Sequence, residues 1–344
     1  MDGTTLDVGL MFSFRNPAAW RRPFPDVYRD ELALIEHAEV LGYDTIWLTE
    51  HHFADDGYSP SIIPLAAAIA ARTERVRIGF NLLLLPLHNA IRVAEDIAAL
   101  DVLSNGRIDV GVGQGYARHE FEGYGIDRAE RLGRFREGLD VLHGLWTNDT
   151  FSYSGRHYTI SDARLVPKPV QQPTPPLWIG ATSPPGVRRA GRRGANLLGL
   201  TNPKLQAEYE QARAEAGLDP ATAKFLQLFW THVGDTDDDA WDEAVAHFHH
   251  LLTVYAGWID AADDPGNRVN DVSVPPAHEL RTARPTIFKP VFGSAATVAA
   301  SLRQSLARLR TTHLGLGLVP GMDPAVTRRS MERFAREVAP SLGG

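Results

Sequence analysis

The order of apolar and amphipathic segments predicts a (β/α)8 barrel, the TIM-barrel fold. Strand-like and helix-like runs alternate eight times along the 344 residues, and such alternation indicates parallel strands joined by helices. The strand-like runs are continuously apolar, as expected when a parallel sheet is buried on both faces. A doubly wound sheet would carry a glycine-rich turn after the first strand, and the sequence MFSFRNPAAW has none. Eight units in a chain of this length fit one barrel domain spanning residues 1–344.

The first four strand-and-helix units occupy residues 6–146. Strands are predicted at 6–14, 44–49, 76–85 and 106–115, and helices at 27–42, 59–73, 89–104 and 131–146. In the first helix, Leu32, Ile35 and Ala38 recur at helical spacing and therefore share one face. Gly42 follows this helix and suits a left-handed cap at its C-terminal end.

The other four units follow an interruption. Strands are predicted at 176–180, 195–200, 225–234 and 311–320, and helices at 186–194, 204–218, 239–258 and 324–340. Two aperiodic segments are interpreted as insertions, one after the fourth helix and one after the seventh strand. Residues 150–174 are polar, aromatic and proline-rich, which predicts a short β-hairpin. Residues 260–290 are rich in proline, aspartate and asparagine, which predicts a mobile lid.

The composition is typical of a cytoplasmic globular protein. Hydrophobic residues make up 44% of the chain, and the mean hydropathy is -0.20. No apolar run is long enough to span a bilayer, and no basic segment leads into an apolar one at the N-terminus, so no membrane partner is expected. The absence of cysteine excludes disulfides, thiolate metal sites and a cysteine nucleophile. The net charge of -7 argues against a nucleic-acid partner.

The stretch TIWLTEHHF places two adjacent histidines, His51 and His52, directly after the second strand. In a TIM barrel the active site lies at the carboxyl ends of the strands, so both histidines fall on the catalytic rim. Neighbouring strand residues point to opposite faces, so this pair is not expected to chelate one metal ion. His247 and His250 share a helical face without a carboxylate at ligand spacing. No metal site is predicted.

The other strand ends form a rim of aromatic, small and amide side chains. Its large apolar members are expected to line a substrate pocket and to keep water out: Phe12, Phe14, Trp230 and Leu318. The glycines of Gly111–Gly115 leave room for a flat ring against the backbone. The segment Gly180–Gly186 precedes a helix and carries two hydroxyl side chains. It suits either a phosphate site at the helix start or an ordinary capped turn.

Three stretches together resemble the bacterial luciferase-like flavin monooxygenases. They are LGYDTIWLTEHHF, RIGFNLLLLPLHNAIRVAEDIAALDVLSNGRIDVGVGQGYARHEFEGYGID and PPLWIGATSPPGVRRAGRRG, and the likeness covers residues 6–200. The most specific part is PLHNAIRVAEDIAALDVLSNGRIDVGVGQG, which contains the third helix and the fourth strand. The resemblance implies a barrel that binds reduced FMN, or in some branches a deazaflavin, at its C-terminal face.

The resemblance also assigns roles to individual residues. His51 matches a histidine near the reactive edge of the flavin, where it would act as a general base or hydrogen-bond donor, and His52 matches a histidine that supports it. The remaining matches surround the ring and the phosphate: Asn81 and Leu82 at a position that often has a cis peptide, Gln114 and Tyr116 after the fourth strand, and Thr182, Ser183 and Gly186 in the phosphate loop. The family often has an arginine at Gln114, so Arg118 and Arg188 are the candidates to supply the missing charge.

The activity that the resemblance implies is a two-component oxygenation. A separate flavin reductase would deliver reduced FMN, which would react with oxygen to give a C4a-hydroperoxide and oxygenate a small apolar organic substrate. A histidine suits control of that proton because its ordinary pKa lies near neutrality. The alternatives are a deazaflavin-dependent oxidoreductase on the same barrel and a non-catalytic flavin-binding subunit. A homodimer is a further expectation from the family.

Overall fold

Eight parallel strands close into a barrel in the computed structural model, which describes residues 6–199, 202–262, 273–283 and 288–342. The barrel strands are β1 (Asp7–Phe12), β2 (Thr45–Leu48), β3 (Arg77–Phe80), β5 (Ile108–Gly113), β8 (Leu177–Gly180), β9 (Asn196–Leu198), β10 (Phe225–Val233) and β12 (His313–Gly317). Each pairs with the next in parallel, and β12 pairs with β1, with Leu10 opposite Leu316. The predicted TIM barrel is therefore confirmed.

Four further strands lie outside the closed ring of eight. They are β4 (Leu83–Leu84), β6 (Phe151–Ser154), β7 (Thr159–Ala163) and β11 (Pro290–Gly293). The first pairs with β5, the next two form an antiparallel hairpin, and β11 pairs with the second half of β10. The strand predicted at 76–85 is thus two strands, β3 and β4, with a break between them.

The helices pack around the barrel, and their buried faces form one apolar layer with the outer faces of the strands. Their bounds are α1 (Phe24–Leu41), α2 (Ile62–Ala70), α3 (Ala90–Leu103), α4 (Arg118–Gly123), α5 (Arg131–Thr147), α6 (Pro184–Arg192), α7 (Pro203–Glu215), α8 (Asp237–Ala262), α9 (Ala295–Leu306) and α10 (Pro324–Arg333). Gly42 ends α1 with a φ of 88°, which confirms the predicted left-handed cap. Within the described ranges, none of the helices combines the length and apolar character that crossing a bilayer needs.

Alternation along the strands divides the apolar side chains into two cores. In β1, Leu10 packs in the layer between the barrel and the helices, whereas Met11 packs inside the barrel with Trp47 and Trp178. A Cβ atom on Gly9 would come within 2.7 Å of the Trp47 ring nitrogen, so glycine leaves space for that indole. Odd-numbered residues of β1 therefore face the barrel interior.

The same parity places Phe12 away from the barrel interior, whereas Phe14 follows the end of β1 and has a φ of 53°, which interrupts the alternation. Both are fully buried in the outer layer, and the Phe14 ring centre lies 5.0 Å from that of Tyr28 on α1. The structure thus contradicts the prediction that Phe12 and Phe14 line a substrate pocket. Side chains two residues apart in β1 share a face, and the face of Phe12 is that of Leu10.

Three elements of the described structure were not predicted, namely α4, β11 and α9. The helix α4 has six residues and β11 has four, so neither is long enough to show a periodic apolar pattern. The strand β11 also begins with Pro290, a residue that is disfavoured in strand interiors. Both β11 and α9 lie beyond the segment 260–290, where the sequence analysis assigned no element before the eighth strand.

The two predicted insertions are described to different extents. The segment 150–174 contains the hairpin of β6 and β7, and Glu137 of α5 holds its turn by accepting N–H bonds from residues 156, 157 and 158. In the segment 260–290, residues 263–272 and 284–287 lie outside the described residues, and part of the predicted lid falls there. The described parts are the end of α8, residues 273–283 and residues 288–290.

Candidate active site

His51 and Glu120 form a buried pair at the carboxyl ends of the barrel strands. His51 follows β2, and Glu120 lies in α4, the helix after β5. The His51 Nδ1 atom lies 2.8 Å from Glu120 Oε1, which also accepts the His52 backbone N–H at 2.9 Å. Because a carboxylate only accepts hydrogen bonds, we assign the proton of the neutral His51 ring to Nδ1. The Nε2 atom is then an acceptor, and the pair has the arrangement of a general base with its orienting carboxylate.

Four aromatic side chains enclose the His51 ring and are called the aromatic box below. The distances between ring centres are 4.8 Å to Tyr58, 5.9 Å to Tyr116, 5.7 Å to Tyr255 and 4.5 Å to Trp258. Tyr58 comes from the loop after β2, Tyr116 from the loop after β5, and the other two from α8. Residues three apart share a helical face, so the C-terminal part of α8 covers His51.

The hydroxyl groups of the aromatic box are deeply buried. Those of Tyr58 and Tyr255 hydrogen-bond to each other at 2.9 Å. The Tyr116 hydroxyl is buried and has no hydrogen-bond partner among the described residues. Burial raises the pKa of all three tyrosines, and those of Tyr116 and Tyr255 lie well above the usual 10.0. All three hydroxyls therefore remain protonated at neutral pH and are able to donate.

His52 belongs to a second network, built around the buried Glu50. The Glu50 Oε1 atom lies 3.0 Å from His52 Nε2 and 2.6 Å from His88 Nε2. Its Oε2 atom accepts the Leu84 backbone N–H at 2.6 Å. The Tyr124 hydroxyl lies 3.2 Å from His52 Nδ1 on the other side of the ring. The Tyr124 hydroxyl thus holds the His52 ring at Nδ1, whereas Nε2 lies beside Glu50 without the geometry of a hydrogen bond.

The charges of this second network depend on each other. Burial alone would raise the pKa of Glu50, but the contacts with His52 and His88 outweigh it and lower the pKa to about 2. Burial likewise opposes the charge on His88, but the hydrogen bond with Glu50 raises the pKa of His88 above its ordinary value. Glu50 is therefore negatively charged at neutral pH, and it stabilises positive charge beside it.

Glu50, His52 and His88 are also residue types that bind metal ions, and their ligand atoms lie within 4.8 Å of one another. The 2.6 Å between Glu50 Oε1 and His88 Nε2 is the length of a charge-assisted hydrogen bond. Such a bond holds a proton that metal binding would have to displace. We therefore interpret the group as a hydrogen-bond network. His51 takes no part in it, because its ring turns towards Glu120.

Leu82 lies between the ends of β5 and β8. The peptide bond Asn81–Leu82 is cis, at the position where the resemblance places such a bond, and the Asn81 amide nitrogen lies 3.7 Å from Met11 Sδ inside the barrel. A Cβ atom on Gly113 or Gly180 would come within 2.4 or 2.6 Å of the Leu82 side chain. These two glycines therefore make room for the Leu82 side chain. A flat ring would lie against Leu82 and not against the glycines themselves. Leu82 forms an apolar surface at the strand ends.

The predicted phosphate loop lies between β8 and α6. Thr182 is exposed, and Ser183 is the N-cap residue of α6, although its hydroxyl makes no capping hydrogen bond there. The first two residues of α6 are both proline and carry no N–H, so Gly186 is the first residue of the helix that has one. The loop thus offers two hydroxyl groups, but its helix start has fewer donors than an anion site usually has.

The two arginines that were predicted to supply the missing phosphate charge are paired with carboxylates. Arg118 Nε lies 2.7 Å from Glu122 Oε1, and Arg188 hydrogen-bonds to Glu208. Gln114 is half-buried after β5. Both ion pairs are partly exposed, and each arginine has N–H donors beyond the one in its pair, so both stay candidates to supply the charge that Gln114 lacks.

Trp230 and Leu318 lie on different sides of the barrel rim. Trp230 packs inside the barrel, with its ring centre 5.9 Å from that of Phe288, which lies 5.0 Å from Tyr255. Trp230 therefore extends the aromatic box towards β10. Leu318 lines a cavity of about 320 Å³ whose wall also includes Trp20 and Arg15.

Sequence reasoning missed Glu120 and three members of the aromatic box. The hydrogen bond from His51 joins residues 69 apart in the chain, and no local pattern encodes such a pairing. A weaker signal was available for the box, because Tyr255 and Trp258 stand three residues apart near the end of a long helix. Tyr58 lies in a loop and carries no such signal.

The fold and the site together define a TIM barrel with a histidine–carboxylate pair at its rim. The chain belongs to the luciferase-like monooxygenase family, whose model matches residues 6–313. A relative, 4-hydroxyprotoasukamycin monooxygenase of Streptomyces nodosus subsp. asukaensis, is 30% identical over 343 residues, which cover 94% of this chain and 88% of the relative. The resemblance inferred from the sequence is thereby confirmed.

Solved structures show the same fold. The oxygenating constituent of 3,6-diketocamphane monooxygenase from Pseudomonas putida, solved with FMN, matches with a TM-score of 0.80 at 21% identity over 98% of both chains. An F420-dependent secondary alcohol dehydrogenase, solved with an F420–acetone adduct, matches with a TM-score of 0.77 at 21% identity, over 98% of this chain and 99% of that one. Proteins of this fold thus include enzymes of both cofactor classes.

Proposed function

We propose that this chain is a flavin-dependent monooxygenase whose proton chemistry is controlled by His51. The observation that carries the proposal is the hydrogen bond between His51 and Glu120 inside the aromatic box, at the rim where TIM barrels place their active sites. Membership of the luciferase-like monooxygenase family supports oxygenation as the reaction class.

The types of side chain at the rim are suited to binding reduced FMN. Leu82 offers an apolar surface to a ring, Tyr116 offers an aromatic face beside His51, and Thr182 and Ser183 offer hydroxyls to a phosphate. When bound, the reduced flavin would supply the electrons that activate oxygen. We propose a separate flavin reductase as its source, as in the two-component systems of the family. Gln114 contributes no charge, so we expect modest affinity for the phosphate.

The role of His51 follows from its protonation pattern. Its Nε2 atom can accept a proton from a group bound in the aromatic box and can return that proton from the imidazolium. Glu120 fixes the tautomer and stabilises the imidazolium when it forms. His52 is a positioning residue, because its backbone N–H donates to Glu120 while its ring contacts Glu50.

The aromatic box keeps bulk water away from His51. Two of its members come from α8, so this helix acts as a cover over the strand ends. A dry site protects the reacting group from proton leakage and strengthens the electrostatic effect of Glu120. Trp230 extends the apolar wall towards β10 and would contact the substrate.

The proposal is tested by following the fate of molecular oxygen. The purified chain is mixed with a flavin reductase, FMN, NADH and a panel of planar ketones, alkenes and aromatic acids under ¹⁸O₂. We expect one ¹⁸O atom in an organic product, and a loss of about 100-fold or more in product formation for His51→Asn. The matched control is His143→Asn on an exposed face of α5, which should keep full activity.

Two outcomes would count against the proposal. If no panel member gains ¹⁸O while NADH is consumed only to make hydrogen peroxide, the oxygenase assignment loses its support. If His51→Ala oxygenates as fast as the unaltered chain, His51 does not control the chemistry. If the chain binds flavin but gives no product with or without the substitution, the non-catalytic flavin-binding subunit becomes the better interpretation.

A deazaflavin-dependent oxidoreductase is the second candidate, because F420-dependent enzymes are found among proteins of this fold and among shorter matches to this chain. In that reaction His51 would handle the proton that accompanies hydride transfer, and oxygen would take no part. Calorimetric titration with FMN and with F420, followed by turnover under nitrogen, separates the two. Tighter F420 binding with full anaerobic turnover would favour the deazaflavin reaction.

A further inference from the structure

Arg15 lies buried beside the aromatic box. Its side chain has no solvent exposure, its Nε atom donates to Asp56 Oδ2 at 2.6 Å, and its guanidinium carbon lies 4.9 Å from the centre of the Tyr58 ring. Its two terminal nitrogens are buried and have no hydrogen-bond partner among the described residues. Because those nitrogens carry most of the N–H donors of a guanidinium, most of the binding capacity of Arg15 is unused.

The paired carboxylate does not belong to Arg15 alone. Asp56 Oδ2 also lies 3.3 Å from His250 Nε2, and its Oδ1 atom accepts the Tyr58 backbone N–H at 3.2 Å. Burial would raise the pKa of Asp56, but the contacts with His250 and Arg15 lower it, so the carboxylate is charged. Buried guanidinium donors without acceptors are unfavourable. The local charge pattern therefore leaves Arg15 able to take a further anionic partner.

The aromatic box presents hydroxyl groups near Arg15. The guanidinium carbon lies 4.9 Å from the centre of the Tyr58 ring, and the charge of Arg15 opposes the rise that burial causes in the pKa of Tyr58, Tyr116 and Tyr255. The Tyr116 hydroxyl is unpaired among the described residues. In the pair of Tyr58 and Tyr255, only one hydroxyl can donate to the other, so the second keeps an O–H for a ligand.

We propose that Arg15 and the Tyr116 hydroxyl bind an anionic oxygen of a planar substrate. A carboxylate or the oxyanion of a phenol or enol fits, because a guanidinium forms paired, charge-assisted hydrogen bonds with such groups. The flat walls of the aromatic box suit the ring that carries the oxygen. The inference rests on the proposed function because it takes the aromatic box as the substrate chamber. It replaces the expectation of a purely apolar substrate.

The position of Arg15 also orients the substrate relative to His51. Arg15 and His51 both contact the Tyr58 ring, at 4.9 Å and 4.8 Å from its centre. An oxyanion held by Arg15 would therefore place the attached ring within the aromatic box, where His51 Nε2 is the available base. Anchoring of one end in this way is how a polar group fixes orientation in an otherwise apolar pocket.

The test compares anions with neutral molecules of the same shape. The full chain, without flavin and under nitrogen, is titrated calorimetrically at pH 8 with 2-naphthoate and with 2-naphthamide, and separately with 4-nitrophenolate and with nitrobenzene. We expect the preferred anion to bind at least about tenfold more tightly than its neutral counterpart. The two pairs distinguish a carboxylate substrate from a phenolate or enolate substrate.

Three variants test which side chains cause the tighter binding of the anion. Arg15→Met should abolish the difference between anion and neutral probe while leaving the affinity for the neutral probe unchanged. Tyr116→Phe removes one hydroxyl without changing the ring, should weaken the anion alone by several-fold, and keeps the proposal testable if Arg15→Met does not fold. Arg72→Met is the matched control, because Arg72 pairs with Glu36 outside the aromatic box, and it should retain the full preference.

The proposal is overturned if the unaltered chain binds anion and neutral probe equally. It is also overturned if the preference survives both Arg15→Met and Tyr116→Phe. Because these titrations use neither flavin nor oxygen, their result is independent of oxygenase activity. A chain that prefers the anions but produces no ¹⁸O-labelled product would retain the Arg15 site and lose the proposed function.

Discussion

His51 and His52 are adjacent in sequence, but their rings engage different carboxylates. The ring of His51 contacts Glu120, and that of His52 contacts Glu50, because consecutive residues at a strand end point in opposite directions. The sequence therefore located the pair correctly at the barrel rim but could not name either partner. Each carboxylate leads to a prediction of its own.

Glu120 is predicted to act on the reaction through the charge of the His51 ring. Glu120→Gln retains an acceptor for Nδ1 but removes the charge that stabilises the imidazolium, so we expect turnover to fall about 10- to 100-fold. Steady-state turnover in the ¹⁸O₂ assay measures this fall. Glu122→Gln on the exposed side of α4 is the control.

Glu50 is predicted to stabilise the fold in a pH-dependent manner. Its pKa falls from an ordinary 4.5 to about 2, so its contribution is present above pH 4.5 and is lost as the pH falls towards 2. The shift corresponds to at most about 3 kcal/mol at neutral pH. Glu50→Gln should therefore lower the free energy of unfolding at pH 7. The difference in this free energy between the variant and the unaltered chain, called the gap below, should be smaller by about 2 kcal/mol at pH 3.

Urea unfolding at both pH values measures this gap. The control is Glu95→Gln, an exposed residue of α3 that should change the free energy of unfolding by less than about 0.5 kcal/mol at either pH. An equal gap at pH 7 and pH 3 would mean that Glu50 does not change its protonation between the folded and unfolded states.

At the level of elements, the strand-end glycines are spacing devices within the sheet. Gly111 of β5 faces the backbone of β3 so closely that a Cβ atom would come within 1.7 Å of the Phe80 carbonyl oxygen. Gly113 and Gly180 instead admit the Leu82 side chain. The sequence interpretation that these glycines admit a ligand directly was incomplete, because it did not include the side chain that turns in from the neighbouring strand.

Gly111→Ala is predicted to be strongly destabilising. The methyl group would collide with backbone, which cannot move without breaking the strand, so we expect a loss of about 3 kcal/mol or more in the free energy of unfolding. Gly257→Ala in α8 is the contrasting change, because a Cβ atom there meets nothing within 4 Å. It should stabilise the helix by about 0.5–1 kcal/mol. Thermal unfolding of both variants measures the contrast, and equal melting temperatures would refute it.

At the level of the whole molecule, the sequence predicted the eight barrel strands and most of the helices that pack around them. Those predictions succeeded because buried parallel strands and amphipathic helices leave strong local patterns. The pocket residues were harder to predict from the sequence. Phe12 was assigned to the wrong face because an apolar run does not reveal which of its two parities faces the barrel interior. Glu120 and Arg15 depend on contacts between distant segments. A homodimer and a cytoplasmic location stay predictions.

The origin of the aromatic box has a consequence for how the protein could diversify. His51, Glu120 and two of the tyrosines come from the first 120 residues, whereas the cover formed by Tyr255 and Trp258 belongs to α8, in the last third of the chain. The histidine that we propose as the base and the aromatic side chains that cover it are thus encoded in separate parts of the gene. Substitutions in α8 would then change substrate specificity without altering the His51–Glu120 pair.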